Sequence, residues 1–239
     1  MDSFMNAPIR PQPQPQTEQV SLQAVHECFV DVEAYSGGRI LVDMQYAKAG
    51  VAGATNKAYL RETVAKKMMQ AAQLLPQDYR LQVLDAWRPY EVQLNLYNSY
   101  REQILRKAPQ ALSEDELKKM VCRFVSFPDK SKAISFVHSS GGAVDLTIIG
   151  QDGKPLDMGS DFDEFKENSH TAWYEKQSSD TQIRDNRRLL HNAMCSCGFT
   201  NYPEEWWHYD YGDSFWSSYT AEPVKYVSVF DIKEVLHYE

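Results

Sequence analysis

The segment FVHSSGGAVDLTI, residues 136–148, contains the residues from which fold and function can be predicted together. Its second half is rich in apolar and β-branched residues, which predicts a strand around Ala143–Ile149. Two candidate metal ligands, His138 and Asp145, lie seven residues apart in this segment. The glycine pair between them is, taken alone, only a turn signal.

The sequence on both sides of this segment predicts a mixture of helices and strands. Apolar residues recur at the helical period between Ala58 and Leu75, and Ser113 before three acidic residues predicts a helix N-cap. We expect helices at 58–75, 90–107, 114–124 and 182–197, and strands at 79–86, at 143–149, in short pieces between 25 and 42, and after 201.

The N-terminal residues differ in composition from the rest of the chain. Residues 1–18 contain the stretch PIRPQPQPQ, which predicts a disordered Pro/Gln-rich arm, with a docking peptide as the alternative. Residues 19–239 show no internal repeat and no convincing linker, so we expect them to form a single domain.

Composition and charge exclude several classes of protein. With 239 residues, 43% of them hydrophobic and 24% charged, the chain is neither a disordered polymer, a collagen-like repeat nor a disulfide miniprotein. Its 33 carboxylates against 25 cations leave a net charge of −8. This balance argues against a nucleic-acid or membrane partner, because both surfaces are anionic.

The four cysteines predict a reduced protein. Cys195 and Cys197 are too close for an ordinary disulfide with each other, and no further Cys or His pair shows the spacing of a thiolate metal site. The N-terminus shows no signal-peptide pattern, and no apolar run has the length of a membrane span. We therefore expect a soluble cytoplasmic protein, with a signal removed by processing as the alternative.

Two further segments contain residues suited to metal-assisted hydrolysis. PEEWWHYD, residues 203–210, places Glu205 three residues before His208, and LDAWRPYE, residues 84–91, contains Asp85 and Arg88. In an extended strand Glu205 and His208 would face opposite sides, so a turn must bring both to one site.

Two histidines and one aspartate make a three-ligand zinc set. His138, Asp145 and His208 offer imidazole nitrogen and carboxylate oxygen, which suit zinc and leave a fourth position for water. Bound zinc lowers the pKa of water to ~7, and a Glu that is not a ligand can then transfer protons. Glu205 is the candidate for that role.

The order of these segments resembles the D-alanyl-D-alanine dipeptidases, the zinc D,D-peptidases of vancomycin resistance. His138, Gly141, Ala143 and Asp145 match the family pattern S-x-H-x-x-G-x-A-x-D, and EWWHY at 205–209 matches its E-x-W-H. Further matches are DMQYA at 43–47, YLR at 59–61, DAWRP at 85–89, MGSDFDEF at 158–165, SH at 169–170 and NRRLL at 186–190. The resemblance covers about residues 30–215.

The resemblance implies a fold and a set of roles. It implies a single α+β domain with a central, mostly antiparallel sheet flanked by helices, and one Zn²⁺ per chain in a cleft on the sheet. His138, Asp145 and His208 would be the zinc ligands, Glu205 the general base and acid, and Arg88 the group that stabilises the oxyanion. Asp163 would bind the substrate's ammonium group, and Asp85 would orient Arg88, or would be merely an acid at a strand end.

One position departs from the family pattern. The serine that precedes the first histidine by two residues in the family is Phe136 here. In the family that serine touches the substrate, so the substrate contacts at Phe136 must differ.

The implied activity is hydrolysis of D-alanyl-D-alanine or a related D,D-dipeptide. Alternatives are a peptidoglycan D,D-carboxypeptidase, an L-Ala-D-Glu-type endopeptidase, and a non-catalytic zinc module that binds peptides. Antibiotic resistance, cell-wall recycling and nutrition remain open as roles, and the sequence gives no indication of oligomeric state.

Overall fold

In a computed structural model of the protein, the described residues form two β-sheets and seven α-helices. The structure describes residues 5–12, 15, 21–107, 112–177 and 179–236. The strands are β1 Phe29–Asp31, β2 Leu41–Val42, β3 Tyr59–Arg61, β4 Arg80–Asp85, β5 Ala143–Ile149, β6 Thr200–Asn201 and β7 His208–Asp210. The helices are α1 Val32–Ser36, α2 Gln45–Lys48, α3 Glu62–Leu74, α4 Tyr90–Lys107, α5 Glu114–Cys122, α6 Thr181–Ser196 and α7 Ser214–Thr220.

The larger sheet is mostly antiparallel, which confirms the predicted α+β class. Its strand order is β2-β4-β5-β7-β6, and only the β2–β4 pair is parallel. The small second sheet pairs β1 with β3 in antiparallel orientation. All seven residues of β5 are buried, because β4 and β7 pair with its two edges and other elements pack on both of its faces.

The helices pack into two apolar clusters. The main core joins the sheet to α3 and α6 through Met68, Leu146 and Leu190, which are nearly inaccessible to solvent. A separate, smaller cluster holds α4 against α5 around Tyr97 and Leu117. The α4–α5 pair is therefore a distinct layer beside the main core.

Three predicted elements differ from the structure at their ends or in kind. The helix predicted at 58–75 begins only at Glu62, because Tyr59–Arg61 pairs with β1 instead. The region after 201, predicted as strands, also contains α7, which Asp213 caps by accepting from the Trp216 amide. The Ser113 cap is present as a full capping box with Glu116, but its helix ends at Cys122 rather than near 124.

The described part of the N-terminal arm lies against the domain. Met5 and Ile9 are buried, and the Ile9 amide donates to Glu175 at 3.0 Å. The amide of Asn192 in α6 donates to the carbonyls of Met5 and Ala7. The other residues of the arm lie outside the described ranges.

The sequence predicted reduced cysteines and no membrane-spanning segment. Cys28, Cys122, Cys195 and Cys197 are free thiols. Among the described residues, none of the helices has both the length and the apolar character that crossing a bilayer requires.

Candidate metal centre and active site

Sheet register brings three of the predicted site residues side by side. Asp85 at the end of β4 pairs with Asp145 of β5, and Asp145 pairs in turn with His208 at the start of β7. Because these positions lie directly opposite one another on adjacent antiparallel strands, their side chains share one region of the sheet.

The loop before β5 adds His138. This residue lies in a short 3-10 helix, Val137–Ser140, which ends at Gly141 with φ +72°. A Cβ atom at Gly141 would overlap the Phe29 ring, so the left-handed backbone and the close approach both require glycine. His138 Nδ1 lies 2.8 Å from the Ala86 carbonyl, which turns Nε2 towards Asp145 Oδ2 at 3.4 Å.

His138, Asp145 and His208 form a group that could hold a metal ion. One ligand atom from each lies within 4.8 Å of the other two, and all three side chains are buried. Two imidazoles and one carboxylate are a donor set typical of catalytic zinc sites. The donor set and its orientation therefore fit the implied metal.

Asp210 orients the His208 ring through the nitrogen that faces away from Asp145. Asp210 Oδ1 lies 2.8 Å from His208 Nε2, and His208 Nδ1 lies 2.9 Å from Asp145 Oδ1. A carboxylate on the far nitrogen of a metal-binding imidazole is a common supporting contact. The other oxygens of Asp210 and of nearby Asp213 have no hydrogen-bond donor among the described residues, and burial together with Asp210 raises the pKa of Asp213 well above its usual range.

The protonation states of His138 and Asp145 suit metal binding, whereas Asp210 and Asp145 outweigh burial and raise the pKa of His208 well above its usual range. Burial, together with the charge of Arg88, lowers the pKa of His138 to about 3, so its imidazole is neutral and free to bind a cation. Burial would raise the pKa of Asp145, but His138 and His208 outweigh this effect and lower it. Asp145 is therefore a carboxylate at neutral pH.

Glu205 reaches the same cavity through a turn, as its spacing from His208 required. The Glu205 amide donates to the Tyr202 carbonyl at 3.0 Å, and the Asn201 side-chain amide donates to the carbonyls of Glu205 and His208. Asn201 thereby holds both ends of the turn, a role for which the sequence carries no local signal. Burial raises the pKa of Glu205 to about 8, near the range that proton transfer at neutral pH requires.

Arg88 is held rigidly at the edge of the metal group. Its Nε and Nη2 both lie 2.8 Å from Asp85 Oδ2, and Nη1 donates to Gln93 Oε1 at 2.6 Å. Nη2 also lies 3.6 Å from Asp145 Oδ2. Asp85 thus makes the contact expected of a residue that orients Arg88, while Gln93 is a second holding residue that the motifs did not indicate.

Asp163 also lines the cavity and is paired with Tyr46, which contacts Arg88 as well. Asp163 Oδ2 accepts from the Tyr46 hydroxyl at 2.7 Å, and the Arg88 guanidinium lies 4.9 Å from the centre of the Tyr46 ring. Burial raises the pKa of Asp163 to about 6. Tyr46 belongs to the matched DMQYA segment, which is the signal that could have identified it.

Two buried arginines anchor the loops of the site. Arg187 of α6 donates through its three nitrogens to the carbonyls of Met158, Asn168 and His170, which flank Asp163 in sequence. On the other side, Arg61 donates to the carbonyl of Ser140, in the loop that carries His138. Neither guanidinium has a carboxylate partner among the described residues, so main-chain oxygens satisfy both charges.

The predicted residues line one cavity of about 230 Å³. All of them except Asp85, which lies behind Arg88, contribute to its wall. Phe136 is 4% exposed and adds an apolar surface beside His138. The arrangement combines a metal-binding group, an acid with a raised pKa, a fixed guanidinium and a second carboxylate.

Comparison with known proteins agrees with this geometry. A family model described as D-ala-D-ala dipeptidase matches residues 38–227. The D-alanyl-D-alanine dipeptidase of Synechocystis is 28% identical over 199 residues, which is 76% of this chain and 81% of that protein. The D-alanyl-D-alanine dipeptidase of Enterococcus faecium is 32% identical over 165 residues, which is 68% of this chain and 78% of that protein. The one of Escherichia coli is 42% identical over 73 residues, which is 30% of this chain and 36% of that protein. The protein is therefore a metallopeptidase that belongs to the D-Ala-D-Ala dipeptidase family.

Proposed function

We propose that the protein hydrolyses D-alanyl-D-alanine, with His138, Asp145 and His208 as the ligands of one zinc ion. The observation that carries this proposal is the buried His-Asp-His group beside Glu205 in a chain of the dipeptidase family. Nitrogen and oxygen ligands without thiolate also favour zinc in a hydrolytic role.

The residues around the metal have separable roles in the proposed reaction. A zinc ion held by His138, Asp145 and His208 would supply Lewis acidity and would lower the pKa of the attacking water to about 7. The Glu205 carboxylate accepts the proton of that water and delivers it to the amine nitrogen of the leaving D-alanine. Arg88 faces the carbonyl oxygen as it gains negative charge, and its fixed contacts with Asp85 and Gln93 avoid a cost of reorientation.

Two residues of the cavity wall, Asp163 and Phe136, select the substrate. The Asp163 carboxylate, oriented by the Tyr46 hydroxyl, pairs with the free ammonium group of the dipeptide. Phe136 contributes an apolar contact where the family has serine, so side-chain packing replaces a hydroxyl contact there. A dipeptide with a blocked amino group would leave Asp163 buried without its partner, which favours the free dipeptide.

The test is release of D-alanine by the zinc-loaded protein and by Glu205→Gln. Because a general base contributes about 10²- to 10⁴-fold, the variant should lose at least 100-fold in kcat while binding zinc with unchanged stoichiometry. Glu222→Gln, at an exposed position that does not line the cavity, is the matched control and should keep full activity. A zinc-loaded Glu205→Gln protein with wild-type kcat would contradict the proposed mechanism.

Alternative activities give different results in the same assay. Equal turnover of an N-acylated dipeptide would favour the D,D-carboxypeptidase or endopeptidase. No hydrolysis of any D-amino-acid peptide by the loaded protein would favour the peptide-binding module.

We further propose that the reaction takes place in the cytoplasm, where free D-Ala-D-Ala is a precursor of peptidoglycan. Four free thiols suit a reducing compartment. An enzyme that holds its metal through nitrogen and oxygen does not depend on the state of those thiols.

A further inference from the structure

One end of a free dipeptide has no partner in the function proposed above. A dipeptide carries an ammonium group and a carboxylate, and only the ammonium has been assigned a site, at Asp163. Burying the carboxylate without a donor would be strongly unfavourable, so the cavity must offer it a cation or N–H groups.

Only two residues with a permanent positive charge, Arg88 and Arg123, are present among the described residues that line the cavity. Arg88 is already engaged by Asp85 and Gln93 and faces the metal group. Arg123 directly follows α5 and lies on the wall formed by the α4–α5 layer. It is thus the cation that remains for the carboxylate.

The contacts of Arg123 leave part of its guanidinium free. Nε and Nη2 donate to Glu204 at 3.0 and 3.1 Å, whereas no described residue accepts from Nη1. The Arg123 side chain is 58% exposed, so this pair lies in high dielectric and contributes little to stability. The main effect of the Arg123–Glu204 pair is to orient the Arg123 guanidinium, whose Cζ also lies 5.2 Å from the centre of the Phe124 ring.

Tyr202 shows how close Arg123 is to the metal group. The Tyr202 hydroxyl donates to the Arg123 carbonyl at 3.2 Å, and its ring centre lies 6.2 Å from that of His208. A single tyrosine side chain therefore separates the Arg123 main chain from a metal ligand. Phe136, which lies on the same cavity wall, has no polar side-chain atom that could replace an arginine.

We propose that Arg123 binds the substrate's C-terminal carboxylate through Nη1 and so selects dipeptides with a free carboxyl end. With Asp163, it gives the cavity one group for each of the two charges of a zwitterionic dipeptide. This inference rests on the proposed function, because it assigns a further contact to the same substrate.

The experiment compares D-Ala-D-Ala with its C-terminal amide in the zinc-loaded wild type and in Arg123→Gln. The measured quantity is the ratio of kcat/KM for the acid to that for the amide. Charge-assisted hydrogen bonds are worth roughly 10- to 100-fold in binding, so the ratio should fall by about that factor in Arg123→Gln. Arg101→Gln is the matched control, because Arg101 also pairs with a glutamate, its Nη2 donating to both carboxylate oxygens of Glu114, but does not line the cavity.

Each outcome bears on the proposal. A collapsed ratio in Arg123→Gln with an unchanged ratio in Arg101→Gln supports it. An unchanged ratio in Arg123→Gln, an equal loss on both substrates, or a wild type that cleaves acid and amide equally well overturns it while leaving the dipeptidase function intact. A loaded wild type that cleaves neither substrate overturns the dipeptidase function and this inference with it.

Discussion

Replacing Gln93 by leucine isolates the contribution of a residue that lies one contact away from the reacting atoms. Gln93 is 2% exposed; its Oε1 accepts from Arg88 Nη1 at 2.6 Å, and its Nε2 donates to the Ser126 carbonyl at 2.7 Å. Leucine fills a similar volume but leaves a buried charged N–H without an acceptor. Hydrogen bonds to charged groups are worth about 1.5–3 kcal/mol.

At 1.36 kcal/mol per factor of ten, that loss corresponds to about a 10- to 150-fold decrease in catalysis. If Arg88 acts mainly on the oxyanion, the decrease should appear in kcat, with KM nearly unchanged. The assay is steady-state release of D-alanine, with zinc content and Tm measured on the same samples. Gln70→Leu, on the exposed face of α3, is the control and should behave like the wild type.

Two results would refute this reasoning. A Gln93→Leu protein with wild-type kcat and full zinc content would show that Arg88 needs no second holding contact. A loss of activity that only follows a loss of zinc or a lowered Tm would assign Gln93 a structural role instead.

Four other changes have defined outcomes. Asp210→Ala should weaken zinc binding about 10- to 100-fold in a competition titration, since it removes the support of His208. The kcat/KM for D-Ala-D-Ala should fall as the pH drops through about 6, because protonated Asp163 cannot pair with an ammonium group, and this inflection should vanish in Asp163→Asn. Removing the metal with a chelator should abolish activity and lower Tm, since a ligand at 100 times its Kd stabilises by about 2.7 kcal/mol. Gly141→Ala should lower Tm and zinc occupancy together, because its Cβ would overlap Phe29.

The fold was predictable wherever local pattern and tertiary pairing agree. The capping box at Ser113 and the apolar run of β5 depend on neighbours in sequence, and both were found. Tyr59–Arg61 shares the helical period of α3, yet its pairing with β1, distant in sequence, makes it a strand. No local pattern reports such a contact.

The site residues also fall into those that local motifs predicted and those that they did not. His138, Asp145, Glu205 and His208 lie in short motifs whose spacing is set by strand and turn geometry, so the motifs predicted that they would meet. Residues that only hold these groups, such as Gln93, were missed because their partners are reached through the fold. Asp210 had a usable signal, two residues after His208 within PEEWWHYD.

The anchoring of the site loops by Arg61 and Arg187 bears on how this protein can evolve. Both arginines bind main-chain carbonyls, and every residue type supplies a carbonyl at its position. Mutations can therefore exchange side chains along these loops while the backbone path is kept. A substitution such as phenylalanine at position 136 can alter which dipeptides are accepted, and the lineage can explore new substrates without rebuilding its hydrolytic centre.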